Sequence, residues 1–221
     1  MLPPLFLVAN GDISDLDWLK SNLNRQNSAI LGVDGGTNYI LDAGFIPDIV
    51  IGDLDSISEA HIKYLEDNWV NIFRHQKDKD ETDLELALVY VANNPPWHDV
   101  PIEIFGGMGG RFDHEIANLM LLTHPLLSDL DIRLRTPFQS SFIITKQSTI
   151  KGRAGDTVSL IPLKGDALIS KTENLKWELI NSTLKFGPAR GVSNTMTSSV
   201  ASIELERGLV LCVHTESSWQ R

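Results

Sequence analysis

Cysteine is nearly absent: Cys212 stands alone in 221 residues. That excludes an intrachain disulfide framework and any multi-cysteine zinc or iron–sulfur centre built by one chain, and a reducing cytoplasm is the expected setting. Basic charge is also scarce. Nineteen Lys and Arg face 29 Asp and Glu, a formal net charge of −10, so a broad phosphate-gripping surface for nucleic acid is not expected. No long apolar run is present. The opening stretch Met1–Val8 lacks a basic leader and stops at Asn10-Gly11-Asp12, which reads as a first buried strand, with no signal peptide or membrane span expected. The six histidines show no His-x-x-x-His spacing, leaving transition-metal hydrolysis unsupported, and His114 alone falls in a candidate site. Aromatics make up 7%; Trp18, Trp69, Trp97 and Trp177 read as core or interface packing.

What is present is a regular alternation. Short apolar runs at Leu5–Val8, Ala29–Val33, Asp48–Ile51, Val70–Phe73 and Ile102–Phe105 are followed by amphipathic ones at Leu16–Leu23, Asn38–Leu41, Ile57–Leu65, Leu84–Val91 and Phe112–Leu122. Strands alternating with helices predict βαβ units and a doubly wound, mostly parallel sheet covered on both faces. After about Thr136 the pattern changes to strand-like runs at Ser141–Thr145, Thr157–Pro162, Trp177–Ile180 and Ser202–Leu205, with glycines between them. The expected organisation is an α/β domain over residues 1–136 and a small all-β, sandwich- or barrel-like domain over residues 137–221.

In open parallel sheets ligands gather beyond the carboxyl ends of the strands. Asp34 follows the second strand, Asp53 and Asp55 the third, and Asp83 opens the helix after the fourth. The i, i+2 spacing of Asp53 and Asp55 sets two carboxylates on one side of an extended segment, and hard oxygen ligands suit Mg²⁺. Each aspartate also fits a local role, since Ser56 with Glu59 and Thr82 with Glu85 match capping boxes. Their recurrence at strand ends favours a cation site. Gly106–Gly110, followed by Arg111, joins the fifth strand to a helix, a combination suited to an anion; it matches neither a Walker A loop nor a dinucleotide fingerprint, and a tight turn is the alternative. Gly191–Thr195 by itself reads as a turn.

Taken in order, these segments resemble the thiamine pyrophosphokinase (thiamine diphosphokinase) family. Its Asp-Gly-Gly-Ala/Thr-Asn/Asp segment is matched by Asp34–Asn38, Gly-Asp-x-Asp-Ser by Gly52–Ser56, and Lys-Asp-x-Thr-Asp by Lys79–Asp83. The Gly-Gly-x-Gly-Gly-Arg-x-Asp-His segment is matched by Gly106–His114, and a late Ser-Asn by Ser193-Asn194. The resemblance spans about Asn10 to Val213. It implies a transferase that moves the β,γ-diphosphate of ATP to thiamine, releasing AMP, in a homodimer whose cleft the partner subunit completes. It also implies that Asp34, Asp53, Asp55 and Asp83 hold Mg²⁺ and position phosphate. Lys79, Gly107, Gly109, Arg111 and Asp113 would serve the nucleotide, with Arg111 also catalytic, and Ser193 and Asn194 would serve thiamine. Two departures stand out: Leu86 replaces a lysine found in some members, and Trp219 lies in a different local sequence from the thiamine-stacking Trp of animal members. Two other readings remain at this point. Asp53-Leu54-Asp55 looks like the Asp-x-Asp element of metal-dependent nucleotide-sugar transferases, and fold and ligand site alone are compatible with a non-catalytic nucleotide- or thiamine-binding module.

Overall fold

The computed structural model describes residues 3–23 and 28–219, so Met1 and Leu2 of the opening apolar stretch lie outside the described residues. Contacts divide the chain into two compact units, Met1–Pro137 and Phe138–Arg221. In the first, β1 (Leu5–Val8), β2 (Ala29–Val33), β3 (Ile49–Gly52), β4 (Asn71–Arg74), β5 (Ile102–Phe105) and β6 (Ile132–Arg135) pair in parallel, in the order β6-β5-β1-β2-β3-β4. All four residues of β1 are buried, as a central parallel strand covered on both faces requires. β6 is not among the strands expected from sequence. Its Ile-Arg-Leu-Arg alternation buries Ile132 and Leu134 and leaves the arginines half-buried.

Helices α1 (Leu16–Leu23), α2 (Gly36–Asp42), α3 (Glu59–Asp67), α4 (Asp83–Ala92) and α5 (Phe112–Leu121) connect the strands. α4 buries Leu84, Ala87, Leu88 and Val91, the i, i+3, i+4, i+7 face of an amphipathic helix, and each large side chain contributes roughly 1.5–3 kcal/mol. Thr82 caps it by accepting the Glu85 N–H at 3.2 Å, as its sequence predicts. The other predicted cap is displaced: α3 is capped by Ser58, whose hydroxyl accepts from the His61 N–H, so Ser56 is left free for another role. α5 has no buried residue, and Phe112, Ile116 and Met120, four apart, lie exposed along it. Of the tryptophans expected to pack, Trp18 meets Phe105 edge-on at 5.3 Å, whereas Trp69 is 92% exposed.

The second unit is a pair of antiparallel sheets. One contains β7 (Gln139–Ile144), β9 (Thr157–Pro162), β12 (Asn194–Thr195) and β14 (Val210–Thr215) in the order β12-β9-β14-β7. The other contains β8 (Gln147–Lys151), β10 (Ala167–Glu173), β11 (Ile180–Leu184) and β13 (Val200–Arg207) in the order β11-β10-β13-β8. Inward residues of both sheets, among them Phe142, Val158, Ile169, Ile203 and Cys212, form one core, the arrangement of a β-sandwich. The Trp177–Ile180 run is not the strand its composition suggests. β11 begins only at Ile180.

A buried carboxylate holds one end of this unit together. Asp156, 2% exposed, accepts the Arg153 N–H at 2.8 Å, the Ser217 N–H at 2.9 Å and a bond from His214 Nε2 at 2.9 Å. Gly152 packs against the pair, where a Cβ would lie 2.6 Å from the carboxylate. Burial pushes the Asp156 carboxyl up, but the Ser217, His214 and Arg153 donors outweigh it and hold it below the ordinary value.

Candidate active site

Strand order locates the site. From β1 the chain steps outward through β2 and β3 to β4, then returns to the other side of β1 with β5. The loops leaving β1 and β5 therefore diverge at a switch point, where α/β sheets open a crevice. Here that crevice is a cavity of about 570 Å³ lined by Asn10, Gly11, Asp12, Asp34, Asp83, Gly106, Gly107, Gly109, Gly110, Arg111, His114, Glu115 and Asn118, with some of their neighbours.

The two loops are stitched together by backbone. Gly11 N–H donates to Gly106 O at 2.9 Å, and Asp12 N–H donates to Gly109 O at 3.1 Å. Such close approach needs glycine. At Gly106, φ is 67° and a Cβ would lie 2.2 Å from the Ala9 carbonyl oxygen. The glycine loop rests on α5: Glu115 Oε1 accepts the Gly109 N–H at 3.0 Å, and Asn118 Nδ2 donates to Gly107 O at 2.8 Å. The Gly109 amide is thus already occupied, while Gly107 and Gly109 both line the cavity. Asn10, Asp12, Glu115 and Asn118 were not expected in the site. The apolar-to-polar break after β1 was the available signal, because the residue following every strand deserved the same scrutiny.

Asp34 leaves β2 in the left-handed region with φ 45°, its N–H bonded to Ile51 O at 2.8 Å. It is 7% exposed, and its Oδ1 has no hydrogen-bond partner. Gly52, ending β3, permits the approach, since a Cβ there would stand 2.8 Å from the Asp34 Cβ. Beyond it, Asp53 and Asp55 are brought together by a turn and not by the extended segment expected: Leu54 is buried at φ 67°, and the Asp55 N–H donates to Asp53 Oδ1 at 3.0 Å. One carboxylate oxygen from each of Asp34, Asp53 and Asp55 lies within 4.8 Å of the others. An orphaned buried oxygen beside two further carboxylates fits a hard divalent cation.

Electrostatics differ sharply within the cluster. Burial raises the Asp34 carboxyl, with help from the charges of Asp83 and Asp53, against lowering bonds from the Gly35 N–H and Ser56. Asp55 is exposed and held below its ordinary value, first by the Lys77 ammonium and then by Ser56. Asp83 shares the cavity with Asp34, but its carboxylate takes the half-buried Lys79 ammonium at 2.6 Å. Lys79 thus reaches Asp83. At the cavity rim, exposed Arg111 forms a bidentate pair with Asp113, 2.5 Å from Nη2 and 3.1 Å from Nε, and this holds the Asp113 carboxyl down. Exposed pairs of this kind contribute little to stability, so the guanidinium is available to an anion.

In the second unit Ser193 is exposed at φ 63°, and its N–H donates to Ser159 Oγ at 3.0 Å. Asn194 is buried. Its Oδ1 accepts the Trp177 N–H at 3.0 Å and its own neighbour Thr195 N–H at 2.9 Å, while Nδ2 donates to Trp177 O at 2.7 Å. The side-chain amide substitutes for a strand ladder at Trp177, which explains why that stretch is not β and why its indole is presented 56% exposed.

A family model described as "Thiamin pyrophosphokinase, catalytic domain" matches residues 21–134, and one described as "Thiamin pyrophosphokinase, vitamin B1 binding domain" matches residues 143–210. The thiamine pyrophosphokinase of Bacillus subtilis is 31% identical over 187 residues, 84% of this chain and 86% of that protein. The chain belongs to the thiamine pyrophosphokinase family. Thiamine pyrophosphokinase 1 of Arabidopsis thaliana is 28% identical over 204 residues, covering 81% of this chain and 75% of that one. The crystal structure of the Bacillus subtilis thiamine pyrophosphokinase superposes with a TM-score of 0.83 at 28% identity, over 96% of this chain and 99% of that one. That of the Geobacillus thermodenitrificans protein, at 24% identity, a TM-score of 0.81 and coverage of 97% and 98%, shares the fold. As a thiamine pyrophosphokinase family member the chain has the parallel α/β unit followed by the antiparallel sandwich. No helix among the described residues is long and apolar enough to cross a membrane.

Proposed function

We propose that the cavity beside β1 and β5 seats the phosphates of ATP, and that Asp34, Asp53 and Asp55 hold Mg²⁺ next to it. The chain makes thiamine diphosphate from thiamine and ATP, as family membership indicates. The thiamine hydroxyl oxygen bonds to the β-phosphorus, the bond from that phosphorus to the α-β bridging oxygen breaks, AMP leaves with that oxygen, and the hydroxyl proton is lost. When bound, the cation supplies neutralisation of phosphate charge. The remaining work belongs to this chain's own groups. The glycine loop admits phosphate close to backbone, Arg111 exchanges its surface carboxylate for a transferring phosphoryl oxygen, and Lys79 holds the Asp83 carboxylate that lines the cavity. Ser193 and Asn194 serve thiamine, Asn194 by holding Trp177 in place.

Buried Asp34, whose Oδ1 has no hydrogen-bond partner and one of whose carboxylate oxygens lies within 4.8 Å of oxygens of Asp53 and Asp55, carries this reading. The decisive assay follows AMP with ATP, thiamine and Mg²⁺ supplied singly and together. AMP that appears only when all three are present is the expected result; AMP formed equally without thiamine overturns the acceptor, and undiminished turnover in EDTA overturns the cation. A homodimer in the cytoplasm completes the proposal. The unpartnered Phe112, Ile116 and Met120 stripe on α5 supports the dimer, and a lone thiol buried in the sandwich core suits a reducing compartment. Sedimentation equilibrium should give twice 24.6 kDa. A monomer at micromolar concentration refutes the dimer.

A further inference from the structure

We infer that His61, through Asn38, is a positioning residue for the carboxylate cluster; the inference rests on the cation reading above. His61 lies in the first turn of α3, half-buried, and no motif of the chain includes it. Its Nδ1 meets Asn38 Oδ1 at 2.9 Å, and Asn38 Nδ2 donates to the Ser56 carbonyl at 2.9 Å. The proton positions follow from chemistry. Ser56 O can only accept, so the NH₂ of Asn38 faces it, Oδ1 faces the imidazole, and Nδ1 of His61 is the donor.

The relay ends on a residue bonded to the carboxylate cluster. Ser56 Oγ donates to Asp55 Oδ1 at 3.2 Å, and the same side chain lowers the Asp34 carboxyl. Fixing the Ser56 backbone fixes the hydroxyl that holds Asp55. The segment needs an external anchor, because its own turn depends on a left-handed Leu54, a conformation uncommon for leucine. Asn38 is held at the start of α2, where its N–H donates to Gly35 O at 3.1 Å, one residue beyond Asp34. His61 is held in turn by the Ser58 cap. One chain of bonds therefore links α3, α2 and the Asp53–Ser56 turn, and it determines how far Asp55 stands from Asp34.

Partners behind a metal ligand commonly change metal affinity by about 10–100-fold. His61 acts at one further remove, so the expected change is roughly three- to ten-fold, the scale of one hydrogen bond. Mn²⁺ alone, titrated into the full chain and read by the electron paramagnetic resonance of the free ion, measures this without turnover. His61→Gln removes the donor at the Nδ1 position, whereas His61→Asn places an amide N–H there. His61→Gln should bind Mn²⁺ three- to ten-fold more weakly and need correspondingly more Mg²⁺ for half-maximal activity, with the KM for thiamine unchanged. His61→Asn should lie within twofold of wild type. Wild-type Mn²⁺ affinity in His61→Gln overturns the positioning role, as does an Asn variant as weak as the Gln variant; should the Gln variant unfold, His61→Phe, which also lacks the donor, is held to the same three- to ten-fold loss, and wild-type affinity in it overturns the role. Asp53→Asn is the control: if it binds Mn²⁺ as wild type does, the cation site itself is wrong and the inference falls with it.

Discussion

Asp34→Asn should leave the metal-free protein more stable and the enzyme without activity. The carboxylate is buried, has one oxygen without a partner, and shares its space with Asp53 and Asp55. At a separation of 4.8 Å, the upper bound for these oxygens, two unit charges repel by about 1 kcal/mol in water-like surroundings and about 3.5 kcal/mol at an effective dielectric near 20. Asp55 is exposed and tied to Lys77, so the lower part of that range applies. Asn keeps an oxygen toward the Gly35 N–H and the Ser56 hydroxyl, the groups that lower the Asp34 carboxyl. The expected gain in EDTA is about 1–2 kcal/mol, read from urea midpoints at pH 7. Mg²⁺ at a hundred times its Kd should reverse the order, since it stabilises the native state by about 2.7 kcal/mol and the variant lacks the site. The pH dependence has a definite sign. Burial raises the Asp34 carboxyl in the folded state, so between the unfolded and folded values the native protein holds a proton that the unfolded chain has lost. Its destabilising contribution is complete above the folded value, shrinks as pH falls through it, and is absent below the unfolded value. Asp34→Asn should remove that slope. A variant less stable than wild type in EDTA, or one that Mg²⁺ stabilises equally, would refute the reasoning.

Asp156→Asn should act in the opposite sense, costing about 1.5–3 kcal/mol at pH 7 by weakening charge-assisted bonds to Arg153, Ser217 and His214. Its depressed carboxyl contributes stability above the unfolded value and loses it as pH falls through the folded one, so the variant's deficit should disappear in acid unfolding curves. Trp69→Gly should raise stability by about 1 kcal/mol, because an indole 92% exposed at φ 58° gains little from burial and occupies a helix-ending position that glycine prefers; an unchanged or lower melting temperature counts against this. Arg111→Ala should lower kcat at saturating substrates, while Asn194→Ala should release Trp177, raise the KM for thiamine and leave that for ATP unchanged. Steady-state kinetics varying each substrate would expose a reversal of these roles.

Much of this was legible in the sequence, for reasons that differ from element to element. Leu84, Ala87, Leu88 and Val91 with the Thr82 cap declare α4 because a helix writes its period and its start into adjacent residues. The convergence of Asp34 with Asp53 and Asp55 was readable from parallel strand ends, yet the turn that brings the last two together was not, since nothing about Leu54 announces a positive φ. β8, with one fully buried residue, and the two-residue β12 carry almost no periodic signal. Trp177–Ile180 misled because its apolar residues imitate a strand whose ladder is replaced by the distant amide of Asn194. Glu115, Asn118, Asn10 and the link from His61 to Asn38 arise from contacts between elements, and no local pattern marks them.

The stitching of the Ala9–Asp12 loop to the Gly106–Gly110 loop sets an order of events during synthesis. β1 leaves the ribosome before β5, and its loop has no partner until β2, β3 and β4 have been made and β5 emerges. Until then a nascent chain can form the Asp34, Asp53 and Asp55 turns without a closed cavity beside them. Such long-range pairing is slow and leaves the edge of β1 open meanwhile, so ribosome-bound chains ending before Gly106 should be the most dependent on chaperones.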